Sequence, residues 1–312
     1  NDVLDAKTFN EMDTDNHLVR NNFGGSLGGP IFRNKSFFFV NYEGLRHTKS
    51  DTMIATVPTE EEINGDFGMS GTTIYNPFSS HPNPNFDPAK PISPSNPQII
   101  RDAFQGNVIP QNLIDPKALQ FLRQYTPRPN MDMGMNGCGM TMMGVPTVVG
   151  AGVDCNNYLD VRNEHHVTDQ ATFRFDQTLK GGDSLFGRYS FSSESGFTPQ
   201  NLPGFGAIHD NFSQHAVVGW NRIISPTLVN MASISFSRLS MHRSSENSES
   251  NDIVSQLGIQ GVGFGGEGAF GAPWFNVQGY SGMGDTFIAT PMHAWDTVLE
   301  ARDSVNWQLG RH

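Results

Sequence analysis

Long apolar runs are missing from this 312-residue sequence, in which the longest unbroken one is Phe37 to Val40. A membrane-spanning helix needs about 18 consecutive apolar residues, so the sequence excludes a helical membrane protein. Strands can cross a membrane with alternating rather than continuous hydrophobicity. The sequence is therefore compatible with a membrane β-barrel.

Positive charge and cysteine are also scarce. There are 20 Lys and Arg against 31 Asp and Glu, a net charge of -11, with no basic cluster, which argues against nucleic acid as a partner because phosphate binding needs a basic surface. The two cysteines, Cys138 and Cys155, share one loop-like region and lack CxxC spacing. This arrangement favours an optional disulfide in an oxidising compartment over a zinc site.

The residues that are abundant indicate strands and loops. The sequence holds 33 Gly, 19 Pro and 23 Phe with only 16% charged residues. Residues 22–46 read as a first hairpin around a tight turn at Arg33 to Lys35, and period-two alternation returns in residues 166–312, which are expected to hold five further strands. Residues 1–21 then form part of one loop, and residues 47–165 a long loop without sustained periodicity.

The connections alternate between short and long along the chain. Tight turns are expected at Arg33 to Lys35, Lys180 to Asp183 and Ser225 to Thr227, and long segments rich in Gly, Pro and Asn separate these hairpins. Outer-membrane barrels show this asymmetry, with short periplasmic turns and long extracellular loops. We therefore predict an all-β fold, part of a transmembrane antiparallel β-barrel in the bacterial outer membrane.

The predicted structure is an open, curved sheet of about seven strands, with its apolar side chains on the convex face toward lipid. A soluble antiparallel sandwich is the alternative, because one face on a core and one in water would give the same alternation. The two readings differ in where the apolar rings lie, against lipid or against a second layer of the same chain.

Particular residues are assigned to the two faces of this sheet. Trp295 and Trp307 lie twelve positions apart on one strand face, roughly 30 Å along the membrane normal for a tilted strand, which suggests two aromatic girdles. Trp220 falls near a strand middle and fits less well, and Asp303 on the lipid face requires a bulge or a flank in water. The residues expected to face the lumen are Arg174, Asp176, Arg188, Glu300 and Arg302. They are read either as plug contacts or as polar wall residues without individual roles.

Several separated segments resemble one family over nearly the whole chain. They are VRNNFGGSLGGPIFRNKSFFFVNYEGLR, TVPTEEEINGDF, GNVIPQNLIDPKALQFLRQYTP and DSLFGRYSFS. In this order they resemble the Oar-like TonB-dependent outer-membrane receptors, which carry a carboxypeptidase-regulatory-like domain. In that family a plug domain precedes a barrel of about 22 strands. By this likeness the chain is an internal barrel fragment, and residues 1–17 belong to the first extracellular loop.

The resemblance implies active uptake of an unknown solute, powered through the TonB complex. The N-terminal region that contacts TonB in this family is not expected to be part of this sequence. The expected partners are therefore TonB, outer-membrane lipid and an unknown extracellular ligand. An alternative within the family is an Oar-like surface protein for adhesion or secretion without solute uptake. No enzymatic activity is expected, since GxSxG, HExxH and P-loop motifs are all lacking.

Soft-metal chemistry is confined to one segment of the long loop. The candidate copper ligands are Met131, Met133, Met135, Cys138, Met140, Met142 and Met143. A flexible apolar loop tip is the competing interpretation, because methionine is adaptable and glycine separates most of these residues. A Cys138–Cys155 disulfide would make the thiol unavailable to copper, so no resident cofactor is assigned.

Two further features of the sequence concern metal binding and the order of the external loops. Glu164, His165 and His166 supply two types of metal ligand, but a third ligand at fixed spacing is absent, and adjacent histidines on a strand point to opposite faces. Residues 116–125 predict a short helix with Asp115 as its N-cap and with Leu119 and Leu122 in an i, i+3 pattern. This helix is expected to order the external loops.

Overall fold

The computed structural model describes residues 17–70, 72–131, 156–262, 266, 268 and 270–310. Within these residues the strands are β1 Leu18–Phe32, β2 Ser36–Ala55, β3 His81–Pro82, β4 Ile99–Ile100, β5 Tyr158–Thr178, β6 Ser184–Thr198, β7 Ala207–Ser225, β8 Leu228–Ser245 and β9 Met292–Trp307. The α-helices are α1 Glu60–Ile63, α2 Pro116–Tyr125 and α3 Ile253–Gln256. None of these helices is long and apolar enough to cross a membrane.

Seven strands form one antiparallel sheet in the order β1-β2-β5-β6-β7-β8-β9, so each long strand pairs with its neighbours along the chain. The sheet is open, with β1 and β9 at its edges. The short pair β3 and β4 makes a separate two-stranded sheet inside the long connection between β2 and β5. The predicted seven-stranded, antiparallel and open sheet is therefore confirmed.

Strict alternation gives the sheet two chemically different faces. One row of directly paired residues crosses all seven strands and is entirely apolar: Leu27, Val40, Phe173, Tyr189, Ala216, Phe236 and Leu299. The next row lies on the opposite face and is polar except at its last member: Ser26, Asn41, Thr172, Ser190, His215, Ser237 and Val298. We call these the apolar face and the polar face.

The apolar face has no covering layer in the part of the chain that the structure describes. Leu27 is 65% exposed, Ile234 61% and Leu299 75%. In a sandwich these side chains would be packed against a second sheet. The sandwich alternative is therefore wrong, because its core is missing where it would have to be.

The polar face carries a hollow of about 430 Å³ that lies against strands β5 to β9. The polar-face side chains around it include Gln170, Thr172, Ser190, Ser192, Ser213 and His215. A hollow that extends over five strands agrees with the predicted curvature, in which the polar face is concave and the apolar face convex.

The tight turns fall where the sequence predicts them. Asn34 reverses the chain between β1 and β2 with φ of 57°, a conformation that asparagine tolerates better than most residues. Gly181, with φ of 87°, does the same between β5 and β6. Pro226 and Thr227 alone separate β7 from β8.

The strands are longer than the alternation predicted. β2 continues to Ala55 and β5 begins at Tyr158, so that the long connection spans 56–157 rather than 47–165. The connection between β6 and β7, expected as a long segment, is only 199–206. The added segments, such as HTKSDTMIA of β2 and YLDVRNEH of β5, mix polar and apolar side chains without a sustained hydrophobic period, although their backbone hydrogen bonds form all the same.

The buried hydrophobic cluster lies mainly in the connections, at one rim of the sheet. It combines Ala55 and Tyr158, at the ends of β2 and β5, with residues from the described parts of three connections, 56–157, 199–206 and 246–291, which all leave that rim. Its buried members are Ala55, Val57, Phe121, Tyr158, Leu202, Phe205, Ile253, Leu257, Ala272 and Met283. We call the described residues of these three connections the loop cap.

Candidate functional site

Helix α2 supplies the central side chain of the loop cap. Asp115 caps the helix by accepting hydrogen bonds from the backbone N–H groups of Lys117 and Ala118, as predicted from the sequence. Phe121 is 3% exposed, and its ring lies 4.8 Å from that of Phe275 and 6.4 Å from that of Phe205, centroid to centroid. The helix therefore joins all three connections.

The sequence pattern emphasised other residues of this helix. Leu122 is partly buried at the edge of the cluster, while Phe121, which the pattern did not single out, is the helix's buried residue. The reason is that a helix held among irregular loops buries one side chain deeply, whereas the i, i+3 pattern describes a stripe on a flat surface.

Polar contacts also connect the three connections. The Tyr125 hydroxyl donates to Gln256 Oε1 at 2.8 Å, and Thr286 Oγ1 donates to Gln200 Oε1 at 3.0 Å. Thr56 exchanges two hydrogen bonds with Ser281, both 2.9 Å long. Loops that are joined by these hydrogen bonds present a fixed surface at the rim.

Two half-buried carboxyl groups lie inside the cap. Burial raises the pKa of Asp285, although its carboxylate accepts hydrogen bonds from Ser245 Oγ and the Ala272 backbone N–H, both at 2.7 Å. Burial also raises the pKa of Glu246, and the negative charge of Asp285 adds to this effect. Burial likewise raises the pKa of the Tyr280 hydroxyl. The raised pKa values of these groups predict that the stability of the cap depends on pH.

Below the cap, the apolar face ends at a belt of polar groups. The Arg46 guanidinium forms an ion pair with Asp169 at 2.9 Å, and the Tyr42 hydroxyl donates to the same carboxylate at 2.5 Å. On β8 and β9 the change from apolar to polar side chains on this face comes at the pair Arg238 and Thr297. A transmembrane strand needs about 9 to 11 residues, so the apolar band between the turns and this belt has the length to span the hydrocarbon layer.

The predicted lumen residues all lie on the polar face. Arg174 makes a two-pronged contact with Asp176 at 2.7 and 2.8 Å, and its guanidinium lies 4.9 Å from the centroid of the Phe186 ring. Arg188 pairs directly with Arg174, so the contact with Asp176 offsets the repulsion between the two cations. Glu300 and Arg302 stand opposite Ser235 and Ser233. Their contact with a plug stays a prediction.

The predicted girdle residues lie on the apolar face toward its two ends. Trp307 pairs with Leu228 beside a short turn, and Trp295 pairs with Ser240 in the polar belt. They are 65% and 57% exposed, and their position at the membrane interfaces stays a prediction. Trp220, placed near a strand middle by the sequence, lies instead close to the turn that ends β7.

Asp303 also lies on the apolar face, and the ladder between β8 and β9 continues through it without a bulge. The Asn230 side-chain amide donates to Asp303 Oδ1 at 2.6 Å near the short turn. Of the two arrangements suggested by the sequence, a bulge or a flank in water, the bulge is absent, and the polar partner and the position close to the rim accommodate this carboxylate.

Most of the candidate copper segment lies outside the described residues, and so do Cys138 and Cys155 with their proposed disulfide. Of the candidate ligands only Met131 is described; its backbone N–H donates to the Asn157 carbonyl at 3.0 Å. Another group comes together elsewhere: His166, Glu194 and His209 meet on the polar face. No local pattern in the sequence marks Glu194 and His209, because only the strand register brings them close to His166.

An open sheet that is apolar outside, polar inside and capped by loops at a single rim is a segment of the wall of a membrane β-barrel. The comparison with protein families agrees, since the family model described as "Outer membrane beta barrel domain" matches residues 1–312. The chain belongs to this family and resides in the bacterial outer membrane. No curated protein and no solved structure matches the chain significantly.

Proposed function

We propose that this barrel wall belongs to a TonB-dependent receptor of the Oar-like type, which takes up a solute across the outer membrane. In this proposal the loop cap forms part of the extracellular surface that recognises the ligand. The barrel acts as a binding and transport device and catalyses no reaction.

The observation that carries the proposal is the cap's own core. Phe121, Leu202, Phe205 and Ile253 are each at most 3% exposed, although they come from three separate connections. Loops that served only to link strands would need no such packing. A preformed surface binds a ligand without the entropic cost of ordering the loops during binding, which favours recognition as its role.

The polar face supports passage of a polar solute or contact with a plug. The hollow on this face is lined by hydroxyl, amide and imidazole groups, which can exchange hydrogen bonds with water or with a solute. The ion pair of Arg174 and Asp176 lies closer to the short turns on the same face. Energy coupling by TonB and the uptake of a solute rest on the family likeness alone.

A surface role in adhesion or secretion has one specific observation in its favour. The part of the cap around β3 and β4 leaves large apolar side chains exposed: Met69, Phe78, Ile92 and Ile99. Large exposed apolar side chains are a feature of contact surfaces between proteins. This region could therefore bind another cell-surface protein rather than a small solute.

The two functions can be separated in a strain that lacks the gene. The strain is complemented with the wild-type gene, with a Phe205→Ala variant that loosens the cap core, or with a Phe78→Ala variant that trims the exposed surface. Uptake is followed on candidate carbon and metal sources, with and without a functional TonB.

For a receptor we expect TonB-dependent uptake that Phe205→Ala reduces and Phe78→Ala preserves. Surface amount is measured for each variant, so that poor assembly is not read as lost transport. Unchanged uptake in the deletion strain, together with altered cell-cell contact, would replace uptake by the surface role.

A further inference from the structure

A cluster of imidazole and carboxylate groups lies on the polar face near the loop cap. His166 of β5, Glu194 of β6 and His209 of β7 each bring one ligand atom to within 4.8 Å of the others. All three side chains are partly buried. We propose that they bind a divalent transition-metal ion of the Zn²⁺ class, and this site does not depend on whether the barrel transports a solute.

The two imidazole nitrogens already have the spacing that a shared metal requires. His209 Nε2 lies 3.2 Å from His166 Nδ1. Two ligands at the usual Zn–N distance and a tetrahedral angle are about 3.3 Å apart. Without metal the two rings share a hydrogen bond, and a metal ion can replace its proton at nearly the same separation of the two nitrogens once the rings turn their lone pairs toward it.

Gly196 makes this approach possible. It is the residue of β6 that pairs with His166 on one side and with His209 on the other. A Cβ atom at this position would lie 2.4 Å from His209 Nε2 and 2.7 Å from His166 Nδ1. Only glycine therefore lets the rings of β5 and β7 meet above the intervening strand.

Other groups on the same face orient the ligands. His166 Nε2 lies 2.8 Å from Glu164 Oε1, which leaves Nδ1 toward His209. The Asn211 side-chain amide donates to Glu194 Oε2 at 3.3 Å. A carboxylate behind a ligating histidine is the usual outer-shell arrangement of zinc sites, where it fixes the ring and strengthens the ligand.

The location matches the chemistry. All three ligands lie on the cap side of the polar belt marked by Arg46 and Asp169, where the strands extend beyond the apolar band. Metal ions therefore reach them from water. Two histidines and one carboxylate leave a coordination position open to water or to a donor atom of a solute, and histidine with carboxylate suits Zn²⁺ better than Ca²⁺ or Mg²⁺.

Cobalt binding to the full-length protein tests this site. The tag-free protein is purified in detergent, stripped with a chelator and titrated with Co²⁺, whose visible absorption reports a tetrahedral site, and Zn²⁺ is then added in competition. We expect wild-type binding that Zn²⁺ displaces, and affinity lowered at least about tenfold in His166→Gln, His209→Gln and Glu194→Gln.

His215→Gln is the matched control, because His215 lies on β7 and on the polar face like His209, but farther from the cap. Its replacement should leave the affinity for Co²⁺ unchanged. Gly196→Ala should weaken Co²⁺ binding by separating the rings. Folding of every variant is checked by heat modifiability, the difference in mobility between unheated and heated samples in SDS gel electrophoresis. A folded His166→Gln/His209→Gln variant that binds as much Co²⁺ as the wild type would overturn the proposal. A wild-type protein that binds no Co²⁺ would overturn it as well.

Discussion

Asn157 illustrates how single polar residues hold the loop cap together. It is 3% exposed, and its side chain both accepts from the Val57 backbone N–H and donates to the Val57 carbonyl, each at 2.8 Å. The two segments that it joins are the start and the end of the long connection. One amide thus satisfies two buried backbone groups that would otherwise lack partners.

We predict that Asn157→Ala loosens the cap by about 2 kcal/mol, because both groups of Val57 would remain buried and unsatisfied. Hydrogen exchange across residues 56–63 and 199–206 should measure this as faster local opening. Asn85→Ala, in an exposed turn, is the control and should change exchange little. Equal exchange in the two variants would contradict the role given to Asn157.

The buried carboxyl groups predict a pH dependence of cap opening. Because the folded cap raises the pKa of Glu246 and Asp285 above their ordinary values of 4.5 and 3.8, it binds their protons more tightly than the open cap does. The cap should therefore be more stable below these raised pKa values and lose that stability as pH rises through them.

Hydrogen exchange of residues 246–262 over this pH range measures the effect, after correction for the intrinsic pH dependence of exchange. Glu246→Gln should flatten the profile, since an amide does not ionise. Glu249→Gln removes an exposed carboxylate nearby and should leave it largely as in wild type. A cap whose stability rises with pH in the wild type would show that the sign is wrong.

At the scale of the strand, two neighbouring residues can have opposite environments. Ile234 lies on the apolar face between Val218 and Ala301, and Ser235 lies on the polar face between Val217 and Glu300. The backbone conformation is the same at both positions, so a difference between them reports only the medium that each side chain meets.

We predict that Ile234→Lys destabilises the barrel by about 2 to 4 kcal/mol, because a cation in the middle of the apolar band loses its hydration. Ser235→Lys should cost much less, as its side chain points to the polar interior. Urea unfolding of the full-length protein in lipid vesicles compares the two. A larger loss for Ser235→Lys would mean that the lipid and lumen faces are exchanged.

At the scale of the whole molecule, stability has two separate sources. The sheet relies on its backbone ladder and on lipid, while the cap relies on a conventional hydrophobic core. Phe205 is among the most deeply buried large side chains, at 2% exposure, and Phe78 of the same cap is 81% exposed. Damage to the core should therefore open the cap and leave the sheet intact.

We predict that Phe205→Ala costs the cap about 3 to 5 kcal/mol through lost burial and the cavity left behind. Limited proteolysis of intact cells should then cut the cap connections sooner, while the protected sheet fragments keep their wild-type size. Phe78→Ala is the matched control and should leave the cutting rate near that of the wild type. Equal protection in both variants would show that the packing around Phe205 does not hold the cap closed.

Local sequence patterns are sufficient to define the sheet and its two faces. Alternation in segments such as Ala171 to Leu179 requires one apolar and one polar side, and the contrast between tight turns and long connections requires one rim to carry the loops. Both are local consequences of the side-chain period of two. The same reasoning located helix α2 and its Asp115 cap, because capping is decided within one turn of chain.

Features that depend on contacts between distant segments become visible only in the folded chain. The core around Phe121 and Phe205 joins connections that have no common period, and the ligand group around His166 needs Gly196 and His209 in register beside it. Register is the sum of turn lengths and ladder hydrogen bonds over several strands. No single segment contains it, so these residues are brought together by the fold alone.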